Sequence, residues 1–324
     1  MIVFVDFILV LIGLLLLVWG ADRFVGGASG LARSLGVSTL VIGLTVVSLG
    51  TSAPELLVNI TAQVEGVPAM AFGNVVGSNI ANIGLVMGVA ALVLPLSVHS
   101  QVLRREYPVL LGMTVLLGAM VMDGQLDLYD GALLTLALVA YTTWTLKAAR
   151  SAEHDPFVEE AVAEIPEAMP TWKSVLWLLV GLAALVLGSR ALVSGASDIA
   201  GFLGVSDLVI GLTVVAFGTS LPELAASLAA VAKKEDDLVV GNVVGSCLLN
   251  ILVVLGLPAL FGTIPAGSEA LWRDLPVLLV LTLVLGPLFL NGRRGHYRVS
   301  RTEGGVLVAA YAGYVGWVFA STVG

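Results

Sequence analysis

Between Gly20 and Gly88, an offset of 168 positions carries each residue onto a counterpart without a gap: Gly20 falls on Gly188, Glu55 on Glu223, Gly88 on Gly256. In the stretch Gly36 to Leu56 against Gly204 to Leu224, only positions 39, 48, 49 and 53 of 21 differ. The two copies must therefore fold alike. How they are oriented to each other depends on how many times each copy crosses whatever medium surrounds it.

That medium is a bilayer. Of 324 residues 58% are hydrophobic and only 12% charged, against about 25% charged in a soluble domain. The apolar runs approach or exceed the roughly 20 residues that cross about 30 Å of hydrocarbon as a helix, and they lack the alternation of a membrane barrel. Breaking the chain at polar, charged and Gly/Pro clusters predicts spans at 3–24, 38–62, 71–95, 107–122 and 130–147. A second set follows at 174–197, 206–231, 239–261, 274–290 and 304–322. The expected fold is an all-α membrane protein of ten transmembrane helices. Residues 1–147 form one five-helix repeat, 148–173 a linker and 174–324 the second repeat.

Five spans is an odd number, so the second copy enters the membrane from the opposite side. Inverted-topology repeats are a transporter architecture, with the binding site near the midplane where the copies meet. The basic residues agree in pattern: Arg33, Arg104, Arg105, Lys147, Arg150, Lys173, Lys233, Lys234 and Arg293 to Arg301 fall in odd-numbered loops, whereas Glu65, Asp123, Asp127, Asp130 and Asp207 fall in even ones. The positive-inside rule then puts the odd loops in the cytoplasm and both termini outside. The first apolar run lacks a preceding basic residue and a small-residue cleavage site, and reads as a retained helix. The net charge of −8 owes most to six acids between Glu153 and Glu167, a solvated linker. Neither nucleic acid nor an obligate protein partner is implied, and the single Cys247 excludes an internal disulfide.

Within this apolar background stand "GTSAPE" from Gly50 and "GTSLPE" from Gly218. A carboxylate inside a membrane is costly enough to mark a functional site by default. On a helix Thr51 and Ser52 share a face with Glu55, and Thr219 and Ser220 with Glu223. Pro54 and Pro222 cannot donate to the carbonyls of Gly50 and Gly218, so each is expected to free a main-chain oxygen at membrane depth. The following spans read "GNVVGSNIANIGLVMG" from Gly73 and "GNVVGSCLLNILVVLG" from Gly241, adding Ser78 with Asn82 and Ser246 with Asn250. Their glycines, at small-xxx-small spacing, read chiefly as packing surfaces. The donors are all hard oxygens, and the histidines, His99, His154 and His296, fall in predicted loops. That set favours Ca²⁺, Mg²⁺, Na⁺ or a proton over zinc or copper, and two carboxylates with flexible geometry suit Ca²⁺ better than Mg²⁺.

At these residues the chain resembles the cation/calcium exchanger superfamily, and within it the compact prokaryotic sodium/calcium exchangers. The resemblance covers essentially the whole chain. It implies that Glu55 and Glu223 clasp Ca²⁺ with Thr51 and Thr219. Ser52, Ser78, Ser220 and Ser246, with the main-chain carbonyls of Ser48 and Ala216, would help to hold Na⁺. Asn82 and Asn250 match central positions where some relatives carry an acid; two neutral amides imply that K⁺ is not co-transported. The expected activity is antiport at the inner membrane, Ca²⁺ leaving in exchange for about three Na⁺, without an enzymatic step or cofactor. A proton/calcium exchanger on the same scaffold is the alternative, since a desolvated glutamate readily takes a proton. A passive channel and an intramembrane hydrolase fit less well, for lack of a repeated filter and of a base near Ser52 or Ser220.

Overall fold

The computed structural model describes residues 2–36, 39–64, 66, 68–98, 103–151, 169–202, 216–290 and 297–323. The acids of the 148–173 linker, the three histidines and the first half of the span expected at 206–231 lie outside these residues. Among the described residues, seven helices are long and apolar enough to cross a membrane, or eight if one bent pair counts as a single span.

The first copy opens with α1 (Ile2–Leu35), 11 residues longer than its expected span end at position 24. At 1.5 Å per residue it measures about 50 Å, well beyond the hydrocarbon core. The next span is broken into α2 (Thr39–Ile42), a π-helical turn (Gly43–Val47), α3 (Ser48–Thr51) and α4 (Ala53–Val64). Then come α5 (Ala69–Ala81), a π turn (Asn82–Met87), α6 (Gly88–Val93), strand β1 (Leu96–Val98), α7 (Leu103–Met120), β2 (Gln125–Leu126) and α8 (Leu128–Ser151). The second copy reads α9 (Thr171–Phe202), α10 (Ala216–Thr219), α11 (Leu221–Ala232), α12 (Asp236–Leu249), a π turn (Asn250–Leu255) and α13 (Gly256–Ala259). It ends with β3 (Ile264–Pro265), a π turn (Ala270–Asp274), α14 (Leu275–Leu290), β4 (Tyr297–Val299) and α15 (Arg301–Val323).

Counterpart helices α1 and α9 lie side by side, and small residues set their separation. A methyl added at Gly13 would stand 2.7 Å from the Gly188 carbonyl oxygen, one at Gly181 2.7 Å from that of Gly20, and one at Gly27 2.7 Å from that of Ser174. As the position on α1 rises, its partner on α9 falls, so the pair is antiparallel. Without side chains in the way the backbones approach closely, which is how helices associate in lipid. The opposite face of α1 carries Phe7, Leu11, Leu15 and Val18, all well exposed, as a lipid-facing surface requires.

The α5–α6 segment is mostly buried and α12–α13 wholly so, whereas α1, α7, α9 and α15 keep most of their length on the outside. The copies also exchange contacts. Gly88 of α6 packs on Gly304 of α15, and its counterpart Gly256 on Leu134 of α8. β1 pairs antiparallel with β4 and β2 with β3, so each ribbon joins one copy to the other.

Arg23 lies well inside α1. Its guanidinium sits 4.7 Å from the Trp177 ring centroid and 5.8 Å from that of Trp19, so aromatic faces hold the charge.

Candidate functional site

The two glutamate motifs adopt the same local geometry. The helix breaks at Ser52 (φ −83, ψ 5) and again at Ser220 (φ −87, ψ 1). Each break comes two residues before a proline that cannot join the ladder. Around Ser52 the axis bends by 51° between Gly43–Thr51 and Ala53–Val64. Glu55 and Glu223 follow within the first turn of the new helix, 1% and 0% exposed.

The break brings the copies into contact. Ser52 Oγ donates to Glu223 Oε1 at 3.3 Å, a hydroxyl of one copy on the carboxylate of the other. Thr51 Oγ1 donates to Asn242 Oδ1 at 3.2 Å, and Asn242 Nδ2 donates to the Glu223 carbonyl at 3.4 Å. Glu55 and Glu223 stand within electrostatic range of each other, and among the described residues neither forms an ion pair with a basic side chain.

Asn82 and Asn250 each open a π-helical turn, one in each copy. Such single wide turns are frequent at functional sites because they re-aim a side chain out of the helical ladder. Asn250 Nδ2 donates to Asn79 Oδ1 at 3.0 Å, and Asn79 Nδ2 to the Cys247 carbonyl at 3.2 Å. Residues 79 and 247 are counterparts under the 168-position offset, so the repeat axis passes close to this bond. Ser78 and Ser246 sit four residues before these asparagines, both buried.

Much of the polar inventory here has no protein partner. Both carboxylate oxygens of Glu55, Oε2 of Glu223, both amide atoms of Asn82, Oδ1 of Asn250 and the hydroxyls of Ser220 and Ser246 are buried without a hydrogen bond. Leaving one such group unsatisfied costs about 1–3 kcal/mol, and a charged one more, so a run of them from both copies fits a bound cation. Two carboxylates, two amide oxygens and several hydroxyls form a hard-oxygen set.

The remaining candidates sit less centrally. Ser48 is buried against α12, but its hydroxyl is turned to the Gly43 carbonyl across the π turn. Its own carbonyl accepts the Ser52 N–H at 2.9 Å and the Thr51 hydroxyl at 3.4 Å. Thr219 is half-buried beside Ser220, and Ala216 begins α10. The carbonyl freed by Pro222 is not left open as expected: Ser189 Oγ on α9 donates to Gly218 O at 2.6 Å. The first copy has Ala21 at that counterpart position and no such bond.

Five polar residues around the site escaped the sequence reading. Asn74 Nδ2 donates to Asn59 Oδ1 at 2.7 Å, and Asn59 Nδ2 in turn reaches the Val254 carbonyl at 2.9 Å, tying α4 to the second copy. In the other half Asn242 Nδ2 donates to Ser227 Oγ at 3.2 Å. Asn79 is the fifth. Asn74 and Asn242 stand inside the repeated "GNVVGS", and their identity in both copies was the available signal.

Comparison with known proteins follows the same lines. The model of the sodium/calcium exchanger protein family matches residues 5–147 and 173–320. CaxA of Alkalimonas amylolytica is 45% identical over 97% of this chain and 98% of its own. The inner membrane protein YrbG of Escherichia coli is 41% identical over 96% and 94%. A structure of the sodium-calcium exchanger NCX_Mj, soaked with Na⁺ and Sr²⁺, superposes with a TM-score of 0.82 at 34% identity, covering 97% of this chain and 98% of that one. With the repeated motifs at the centre of a matching fold, this chain belongs to the sodium/calcium exchanger family.

Proposed function

We propose that the chain is a Na⁺/Ca²⁺ antiporter that exports Ca²⁺ on the sodium gradient by alternating access. Family membership makes it a cation/Ca²⁺ antiporter, a transporter rather than an enzyme, working as a multi-pass membrane protein. Coupling to Na⁺, direction and stoichiometry go beyond what family membership gives.

The observation that carries the reading is the pairing of Glu55 and Glu223 with unpartnered oxygens from both copies. In this reading the two carboxylates neutralise one Ca²⁺, with Thr51 and Thr219 completing its shell. Ser52, Ser78, Ser220, Ser246 and the carbonyls of Ser48 and Ala216 serve Na⁺, while Asn82 and Asn250 bring neutral amide oxygens to the centre. A site that Na⁺ or Ca²⁺ fills well, but not both together, couples their movement. Three Na⁺ against two carboxylates leave about one positive charge, so exchange moves charge across the membrane.

Ten crossings in two inverted five-helix repeats, 1–147 and 174–324 about the 148–173 linker, suit this mechanism. The antiparallel α1 and α9 and the reciprocal packing of Gly88 and Gly256 support it. In this reading the chain lies in the plasma (inner) membrane, and the basic-residue pattern favours both termini outside.

Isotopic Ca²⁺ uptake into proteoliposomes, with Na⁺, K⁺ and H⁺ gradients imposed separately, tests the reading. Uptake is expected to follow the outward Na⁺ gradient, to respond to membrane voltage and to vanish in E55A/E223A. Uptake driven by a pH gradient without Na⁺ would replace it with proton/calcium exchange, and full uptake in the double variant would remove the site.

A further inference from the structure

Glu106 lies in the first turn of α7, within a candidate membrane span, and is 1% exposed. None of the exchange-site candidates comes from α7 or α8. Tyr141 on α8 sets its hydroxyl beside the Glu106 carboxylate, and Thr145, one turn on, sets its own beside Tyr141. Both are buried. Glu106 Oε2, Tyr141 OH and Thr145 Oγ1 are all enclosed without a hydrogen bond of good geometry. One charged and two neutral oxygens thus form a buried row to which, among the described residues, no cation is bonded, and an intramembrane carboxylate calls for one.

The second copy shows what kind of partner. The repeat offset carries Arg105 and Glu106 onto Arg273 and Asp274. There the guanidinium closes on the carboxylate, Arg273 Nε donating to Asp274 Oδ1 at 2.7 Å and Nη2 to Oδ2 at 3.2 Å. Tyr314 of α15 stands beside Asp274 as Tyr141 of α8 stands beside Glu106. Carboxylate, tyrosine and a built-in cation are therefore complete in the second copy. In the first, Arg105 is exposed and acts on Glu106 only through space, forming no ion pair with it. Ser321 and Glu269 help to anchor Arg273 at 2.7 and 3.1 Å.

We propose that Glu106, Tyr141 and Thr145 form a second cation site, separate from the exchange centre, that takes a small monovalent ion of the Na⁺ type. The bound ion does in the first copy what the Arg273 guanidinium does in the second: it neutralises the buried carboxylate and ties α7 to α8. One carboxylate with two hydroxyl oxygens balances a single positive charge, and hard oxygens suit Na⁺.

Thermal unfolding of the purified full chain carrying E55A/E223A isolates this site from the exchange centre. NaCl is added against N-methyl-D-glucamine chloride at constant ionic strength and pH. A saturable rise of about 2–4 °C or more is expected, lost when E106Q or Y141F is added. Should E106Q not fold, Y141F keeps the carboxylate and carries the test. The absence of a saturable rise, or a rise that both variants leave intact, overturns the proposal. So does an effect of Glu106 that depends on pH but not on Na⁺, which would assign a proton. Because this chain cannot exchange, the result stands apart from that of the flux experiment.

Discussion

The two copies of the repeat agree where the charge is and disagree around it. Glu55 and Glu223 follow helix breaks of nearly the same φ and ψ, and Asn82 and Asn250 open matching π turns. One shell outward the wiring differs. Gly218 O has the Ser189 hydroxyl where the first copy has Ala21. Asn74 finds an asparagine, Asn59, where Asn242 finds a serine, Ser227. Arg273 clamps Asp274 where Arg105 forms no ion pair with Glu106. A cargo met from both sides needs like ligands at the centre. The supporting shell is under no such constraint, and there the copies were free to diverge.

The comparison breaks first at the glutamates, if at all. E55Q and E223Q are each expected to reduce Na⁺-driven Ca²⁺ uptake more than about 100-fold, since breaking a buried charge pair costs about 3–5 kcal/mol. Losses that differ by more than about tenfold between them, measured side by side in proteoliposomes, would mean that the centre is not symmetric. S189A comes next: it strips the Gly218 carbonyl of its partner, a loss of about 1–3 kcal/mol in unfolding free energy. A21S, which offers the first copy a similar hydroxyl, should be close to neutral.

The serines sharpen the comparison further. S52A removes a hydrogen bond to a buried carboxylate and should lower stability by about 1.5–3 kcal/mol in the absence of Na⁺ and Ca²⁺. S220A removes a hydroxyl without a protein partner, so its effect should appear in ion affinity and not in ion-free melting. Equal ion-free melting of the two variants would contradict the cross-copy bond. The smallest effect is expected at Asp22, 56% exposed in its 2.6 Å pair with Lys233. D22N should change stability by less than about 1 kcal/mol.

Much of the helix pattern was legible in advance. The spans expected at 71–95, 239–261 and 304–322 correspond to helical segments 69–93, 236–259 and 301–323, because long apolar runs bounded by charge leave few alternatives in lipid. Helix ends were less legible: α1 continues to Leu35 because Arg23, Arg33 and Ser34 are helix-compatible residues that hydropathy reads as a boundary. The carbonyl of Gly218 was misjudged for a different reason. Loss of the proline N–H is a local fact, but the Ser189 hydroxyl that replaces it comes from another helix.

The sequence by itself determined that the chain lives in a membrane, that it is built twice, and that each copy carries one acid in a helix broken by proline. These follow from composition, spacing and the chemistry of single residues. Tertiary structure alone decided which groups meet: Ser52 with Glu223, Asn79 with Cys247, Tyr141 with Glu106. The first two pairs are 171 and 168 positions apart, and a hydrogen bond acts over about 3 Å. Such partners are chosen by where glycine-lined helices cross, and no local pattern records that choice.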